Sequence, residues 1–225
     1  EGVDIEGPHI VNNEVVYAKG TTADYKALYD AGLIGMSLPR KYGGLNFPLL
    51  PYVMAAEMVA RADAGFANIW GLQDCAETIN EFGEDAIKEE FLPRFAKEGA
   101  TGAMDLTEPD AGSDVGAVRT KAIKNADGTY NITGTKIYIS FGEHDMSENI
   151  IHLVLARLPD APAGTRGISL FIVPKFLLTP EGEPGERNDL RCVSIEHKMG
   201  IHASPTCVMS FGDEGGATGY LVGEE

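Results

Sequence analysis

Cysteine is scarce in this chain: Cys75, Cys192 and Cys207 are far apart, odd in number and free of any C-x-x-C spacing. That argues against a disulfide framework and a thiolate zinc site, and makes buried, reduced thiols the expectation. Positive charge is also short. Eighteen Lys and Arg stand against 34 Asp and Glu, a net charge of −16, which opposes binding to nucleic acid and to anionic membrane surfaces. A small anionic ligand is still allowed, because backbone N–H groups and a few local cations suffice to hold a phosphate. No apolar run approaches the roughly 20 residues that a membrane-spanning helix needs. The opening EGVDIEGPHI lacks the basic start and apolar core of a signal peptide, so a cytoplasmic location is expected. The missing initiator Met implies an N-terminus further upstream. Neither internal repeats nor low-complexity tracts occur.

What is present is ordinary for a globular protein. The 225 residues, 44% hydrophobic and 23% charged, are enough for two modest domains. Residues 1–20 carry no helical period and read as an irregular lead-in. Thr22 and Asp24 offer N-caps for a helix to about Met36, with Tyr25, Leu28, Tyr29 and Leu33 on one face. LPRKYGG at 38–44 is a turn punctuated by Pro and Gly. Residues 48–64 form a helical pattern expected to be largely buried. A further apolar segment at 66–82 holds the only Trp, Trp70. It is followed by 84–97, where early acids and late Lys97 suit the helix dipole before Gly99 stops the helix.

After Thr101 the period changes from helical to alternating. Arg119, Lys121 and Ile123 share one strand face, and Asp127-Gly128 marks a hairpin into a strand beginning near Tyr130. Gly134 is expected to turn the chain again, with Ile137 and Ile139 then facing one way and Lys136, Tyr138 and Ser140 the other. Further strands are expected at 150–157, 167–174, 193–199 and 207–211. The result is an α+β chain, with an α-helical domain over 1–99 followed by a β domain over 100–225.

One stretch reads as a built site: GAMDLTEPDAGSD, residues 102–114. Ala103, Asp105 and Thr107 alternate with Met104 and Leu106 along a strand. Then Pro109 fixes its own φ, Asp110 and Asp114 favour turns, and Gly112 is free to take a positive φ, so that Ser113 is presented on a bent backbone able to face an anion.

TEPDAGSD at 107–114 resembles the flavin-binding signature of the acyl-CoA dehydrogenase family, and GTKIYIS at 134–140 resembles the family strand that lays an aromatic residue and a hydroxyl against the flavin. Many members have Trp and Thr where this chain has Tyr138 and Ser140, so the chemical types are kept. Residues 141–176 and 195–207 resemble the longer bacterial members, which include 3-methylthiopropanoyl-CoA dehydrogenases. The resemblance implies an antiparallel β-barrel as the middle domain, with the family's C-terminal helical bundle outside this chain. It implies FAD as cofactor, with Met104, Leu106, Thr107, Gly112, Ser113, Tyr138, Ile139 and Ser140 binding it and Ser113 also reaching the acyl-CoA substrate. It further implies a flavoprotein oxidoreductase of fatty acid metabolism that converts an acyl-CoA to the 2-enoyl-CoA. Electrons pass to an electron-transfer flavoprotein, and the full-length enzyme is a homodimer or homotetramer. The family's catalytic Glu lies in the C-terminal helical domain, so no catalytic residue is assigned here and Glu108 is not promoted to that role. An acyl-CoA oxidase or flavin monooxygenase on the same scaffold, and a flavin-free binding or scaffold protein, are the alternatives. Neither GEHD at 142–145 nor HKMGIH at 197–202 has a zinc spacing, so no metal is assigned. Arg119 and Lys121 read equally as phosphate contacts or as a solvated pair.

Overall fold

The computed structural model describes residues 2–12, 14–97 and 99–225. The lead-in is more ordered than its composition implied. It contains a short helix α1 (Gly2–Glu6) and a two-stranded ribbon of β1 (His9–Val11) and β2 (Glu14–Val16). Helix α2 (Lys19–Asp30) starts earlier and stops earlier than expected, because Gly32, at φ +72, takes the chain out of the helix well before Met36. The segment expected as one apolar element at 66–82 is two helices, α4 (Ala64–Gly71) and α5 (Asp74–Phe82), and α6 (Asp85–Lys97) follows. Asp63 caps α4 by accepting the Phe66 amide at 3.0 Å.

Helix α3 (Leu49–Ala62) corrects an expectation. It is not largely buried: only Tyr52 is, while Leu49, Leu50, Val53, Met54 and Met58 are all more than half exposed. Its pattern does identify an apolar face, but among the described residues that face has nothing packed on it. The opposite edge joins a small core in which Tyr52 stacks on Trp70 at 5.2 Å, beside Tyr25, Ile34, Met36 and Phe66.

The remainder is sheet. In chain order the strands are β3 (Thr101–Asp105), β4 (Lys121–Lys124), β5 (Tyr130–Ser140), β6 (Ile150–Ala156), β7 (Ser169–Pro174), β8 (Phe176–Leu178), β9 (Pro184–Arg187), β10 (Leu190–Ile195), β11 (Thr206–Phe211) and β12 (Ala217–Val222). The main sheet runs β10-β11-β5-β12-β7-β6-β3, with β4 also on β5, and β8 pairs β9 apart from it. Every pair is antiparallel except β3 with β6. Among the described residues the sheet does not close into a barrel, since β10 and β3 end the order as edges. The strand expected at 193–199 begins and ends earlier, as β10, because the chain leaves the ladder after Ile195.

Gly134 does not turn the chain. It lies inside β5, and a Cβ there would stand 2.4 Å from Thr120 Oγ1, so glycine is needed for close approach. Just there β5 changes partners, from β12 at Ile132 to β11 at Gly134. Two cores result. One lies within the sheet, from Ala103 and Ile132 to Phe171, Cys207 and Phe211; the other lies between α5, α6 and the outer side of β6, β7 and β12, where Ile79, Phe91 and Phe95 meet Ile151, Leu153 and Ile172. Cys75, Cys192 and Cys207 are buried free thiols.

Candidate functional site

Strand β3 delivers the chain to the loop at 107–114, and a carboxylate holds that loop in place. Glu108 is nearly buried, and it accepts hydrogen bonds from the amides of Arg119 and Thr120 at 2.6 and 3.0 Å, from Thr120 Oγ1 at 2.6 Å and from Lys136 Nζ at 2.9 Å. Burial pushes its pKa up, but the Thr120 hydroxyl, Lys136 and the two amides outweigh that and hold it below the ordinary glutamate value. Burial likewise pulls Lys136 down, against the pull of Glu108. Lys136 Nζ also donates to Leu106 O at 3.1 Å, and Ile137 N donates to Thr107 O at 2.9 Å. Residues 106–108 are therefore fastened to the middle of β5. A tight turn follows, in which Glu108 and Ala111 exchange backbone hydrogen bonds of 2.9 and 3.1 Å. Gly112 is not in the left-handed region that its sequence position invites, and a Cβ there would make only an ordinary 3.6 Å contact with the Thr107 methyl. Gly112 and Ser113 are exposed, while Met104, Leu106 and Thr107 are half-buried.

The second half of the site is a β-bulge. Cys207 pairs with Ile139 and Met209 with Lys136, so β5 carries one residue more than β11 across this step. Tyr138 takes φ +60 and projects its ring, leaving the residue 61% exposed. The extra residue breaks the expected alternation: Lys136 and Ile139 both turn inward, and Ile137 does not share a face with Ile139. Ile139 packs in the sheet core, so its side chain is not on the surface that carries Tyr138. Ser140 is half-buried, and Asn68 Nδ2 of α4 donates to its hydroxyl at 3.4 Å.

Several other polar groups that the sequence brought forward have partners. His144 is buried; Met146 N donates to its Nδ1 at 3.2 Å, so Nε2 carries the proton and donates to Thr101 Oγ1 at 2.8 Å. Burial pushes His144 well below the ordinary imidazole value, helped by the charge of Lys175. Glu143 accepts from Lys175 and from Arg187, the latter at 2.9 Å. His202 faces Asp4 at 3.1 Å and donates through Nε2 to Lys198 O at 2.9 Å. Arg119 is exposed and reaches Asp110 at 3.3 Å. Sequence reasoning missed Asn68, Arg157 and the pairing of Glu108 with Lys136. Asn68 and Arg157 sit in no local motif, and although Glu108 and Lys136 lie in the two family motifs, their pairing spans 28 positions.

The sequence model of the acyl-CoA dehydrogenase N-terminal domain matches residues 10–99, and that of the acyl-CoA dehydrogenase middle domain matches residues 103–213. This chain belongs to the acyl-CoA dehydrogenase family. It is 48% identical to the 3-methylmercaptopropionyl-CoA dehydrogenase of Ruegeria pomeroyi over 99% of its own length and 37% of that protein. Among solved structures it resembles the butyryl-CoA dehydrogenase of Megasphaera elsdenii, with a TM-score of 0.75 and 32% identity over 93% of this chain and 51% of that one. It also resembles an acyl-CoA dehydrogenase of Bacillus anthracis complexed with FAD, with a TM-score of 0.73 and 28% identity over 91% of this chain and 32% of that one. The chain thus spans about a third to a half of the length of these acyl-CoA dehydrogenases. No described helix is long and apolar enough to cross a membrane.

Proposed function

We propose that the protein to which this chain belongs carries out FAD-dependent α,β-dehydrogenation of an acyl-CoA thioester to the 2-enoyl-CoA, passing the electrons to a flavoprotein acceptor. The observation that carries this reading is the Tyr138–Ser140 bulge fastened beside the loop at 107–114: an outward aromatic ring, a hydroxyl and a row of half-buried apolar side chains on adjoining backbone. Those residues fit a flavin, whose ring system is flat, polarisable and edged with acceptors. When bound, FAD supplies a hydride acceptor. The chain's own groups bind and orient. Tyr138 offers a stacking surface. Met104, Leu106 and Thr107 would line the ring edge, and the Ser140 hydroxyl would supply a donor where negative charge develops. Gly112 and Ser113, exposed at the loop tip, would hold the pyrophosphate, and Ser113 would also meet the thioester. Ile139 contributes through its backbone alone, since its side chain is buried.

Glu108 is not the base that removes the substrate's α-proton. Its carboxylate is already committed to four donors, one of them a buried ammonium. We place the base outside this chain. On this reading residues 1–99 and 100–225 are the two functional units, the protein works in the cytoplasm, and it assembles as a homodimer or homotetramer. The 48% identity to the Ruegeria enzyme supports 3-methylthiopropanoyl-CoA as the first substrate to try.

The test is the visible spectrum of the whole protein, followed without oxygen during titration with a panel of acyl-CoA thioesters. A stoichiometric flavin band bleached by one thioester supports the reading. A protein purified without flavin that does not take up added FAD contradicts it.

A further inference from the structure

A serine hydroxyl carries one proton and two lone pairs, and its proton rotates to whatever partner the surroundings offer. A donor that occupies the acceptor side of Ser140 would bias its own proton toward a bound ligand. The junction of α4 with the loop at 196–205 provides such a group. Gly65, in the first turn of α4, lies against that loop so closely that a Cβ would stand 3.0 Å from Ala203 Cβ and 3.6 Å from Ile201 Cγ2. One turn later, Asn68 reaches two hydroxyls with the same amide nitrogen: Ser204 Oγ at 2.9 Å and Ser140 Oγ at 3.4 Å.

Ser204 is the firmer of the two partners. It is completely buried, its own amide donates to Ile201 O at 3.2 Å, and Lys198 Nζ donates to its carbonyl. Ser140 is fixed from the other side, paired with Thr206 in the β5–β11 ladder and followed by Phe141 N donating to Pro205 O at 3.4 Å. Two serines, 64 positions apart in the chain, therefore converge on one NH2 group, which has a proton for each.

We propose that Asn68 is a positioning residue for Ser140. By donating into the Ser140 oxygen it turns the hydroxyl proton toward the open face beside Tyr138, where it serves the reduced, electron-rich form of a bound flavin better than the oxidised form. Ser204, the nearer and fully buried partner at 2.9 Å, holds the Asn68 amide beside Ser140. This rests on the reading of Ser140 as a flavin-facing donor, and the experiment separates the two ideas.

In the whole protein, the midpoint potential of bound FAD and the affinity for oxidised FAD are measured for Asn68→Leu, Ser140→Ala and the double variant. Asn68→Asp, which keeps the shape and replaces the donor with an acceptor, is the second probe. Asn68→Leu is expected to lower the affinity for reduced relative to oxidised FAD about fivefold, to leave the affinity for oxidised FAD unchanged, and to have no further effect once Ser140 is Ala. Asn68→Asp is expected to give a larger fall at neutral pH that recovers as its carboxyl is protonated. If Ser140→Ala shifts the potential but neither Asn68 variant does, or if the Asn68→Leu shift persists in the Ser140→Ala background, the positioning role is overturned and the flavin-facing reading stands. If Ser140→Ala itself leaves the potential unchanged, both fall.

Discussion

The loop at 107–120 and the bulge at 136–140 lie against each other and are held in shape by opposite means. The loop depends on buried charge: Glu108 collects four donors, and Arg157 donates to Val118 O, Pro162 O and Gly164 O at 2.8, 3.0 and 2.7 Å, as well as to Gly116 O. The bulge has no such network. Tyr138 is held at a positive φ by the ladder on either side of it, and it displays a large ring to solvent. A polar loop is thus made rigid by satisfying its charges, whereas the aromatic is presented by accepting local strain, as functional positions commonly do. The two meet at Lys136, which salt-bridges the loop and begins the bulge.

The largest expected break in this arrangement comes from Glu108→Gln, which leaves the Lys136 ammonium buried without its counter-charge. Urea unfolding of the chain should show a loss of about 3 kcal/mol, the scale for an uncompensated buried charge. The pH dependence follows from the direction of the shift. Because the folded Glu108 pKa lies below the unfolded value of about 4.3, its contribution is complete above that pH and lost as pH falls through the folded value. Glu108→Gln should flatten the acid limb of a stability–pH curve, and an unchanged limb would refute the assignment. Next in size is Arg157→Lys, because a single ammonium does not replace a fork that serves four carbonyls. A loss of about 2 kcal/mol is expected, with faster proteolytic cleavage near 114–118 as the local readout.

Tyr138→Gly sharpens the contrast by acting in the other direction. Removing a side chain from the left-handed region should stabilise the chain by about 1 kcal/mol in thermal unfolding, even though it removes the outward ring. Destabilisation would mean that the ring is part of the fold. The smallest effect is expected from Arg119→Ala. Its amide, which bonds Glu108, is kept in the variant, and its side chain is seen only in an exposed pair with Asp110, so a change within about 0.5 kcal/mol is predicted by the same unfolding measurement.

The sequence was most informative where structure is local. Asp127-Gly128 does close the β4–β5 hairpin, with Gly128 at φ +92 and Asn125 N donating to Thr129 O at 2.8 Å. The apolar runs at 150–157 and 167–174 do become β6 and β7. The bulge was hidden because one extra residue leaves no mark on an alternating pattern; it exists only relative to β11. Gly134 looked like a turn because glycine often is one, and only the approach of Thr120 reveals its use. The face of α3 was legible as apolar but not as uncovered, since periodicity reports which side is apolar and not what lies against it. Asn68 carried no signal at all, because Ser140 and Ser204 are 72 and 136 positions away.

The account turns on Tyr138 and its neighbours forming a flavin-binding face, and the most direct measurement is the FAD dissociation constant of the whole protein carrying Tyr138→Leu. Leucine keeps an apolar side chain at the bulge but removes the stacking surface. The expected result is binding weakened about tenfold, consistent with aromatic stacking energies of about 1 to 3 kcal/mol, with the unfolding midpoint little changed. Wild-type FAD affinity in a correctly folded Tyr138→Leu protein would contradict it.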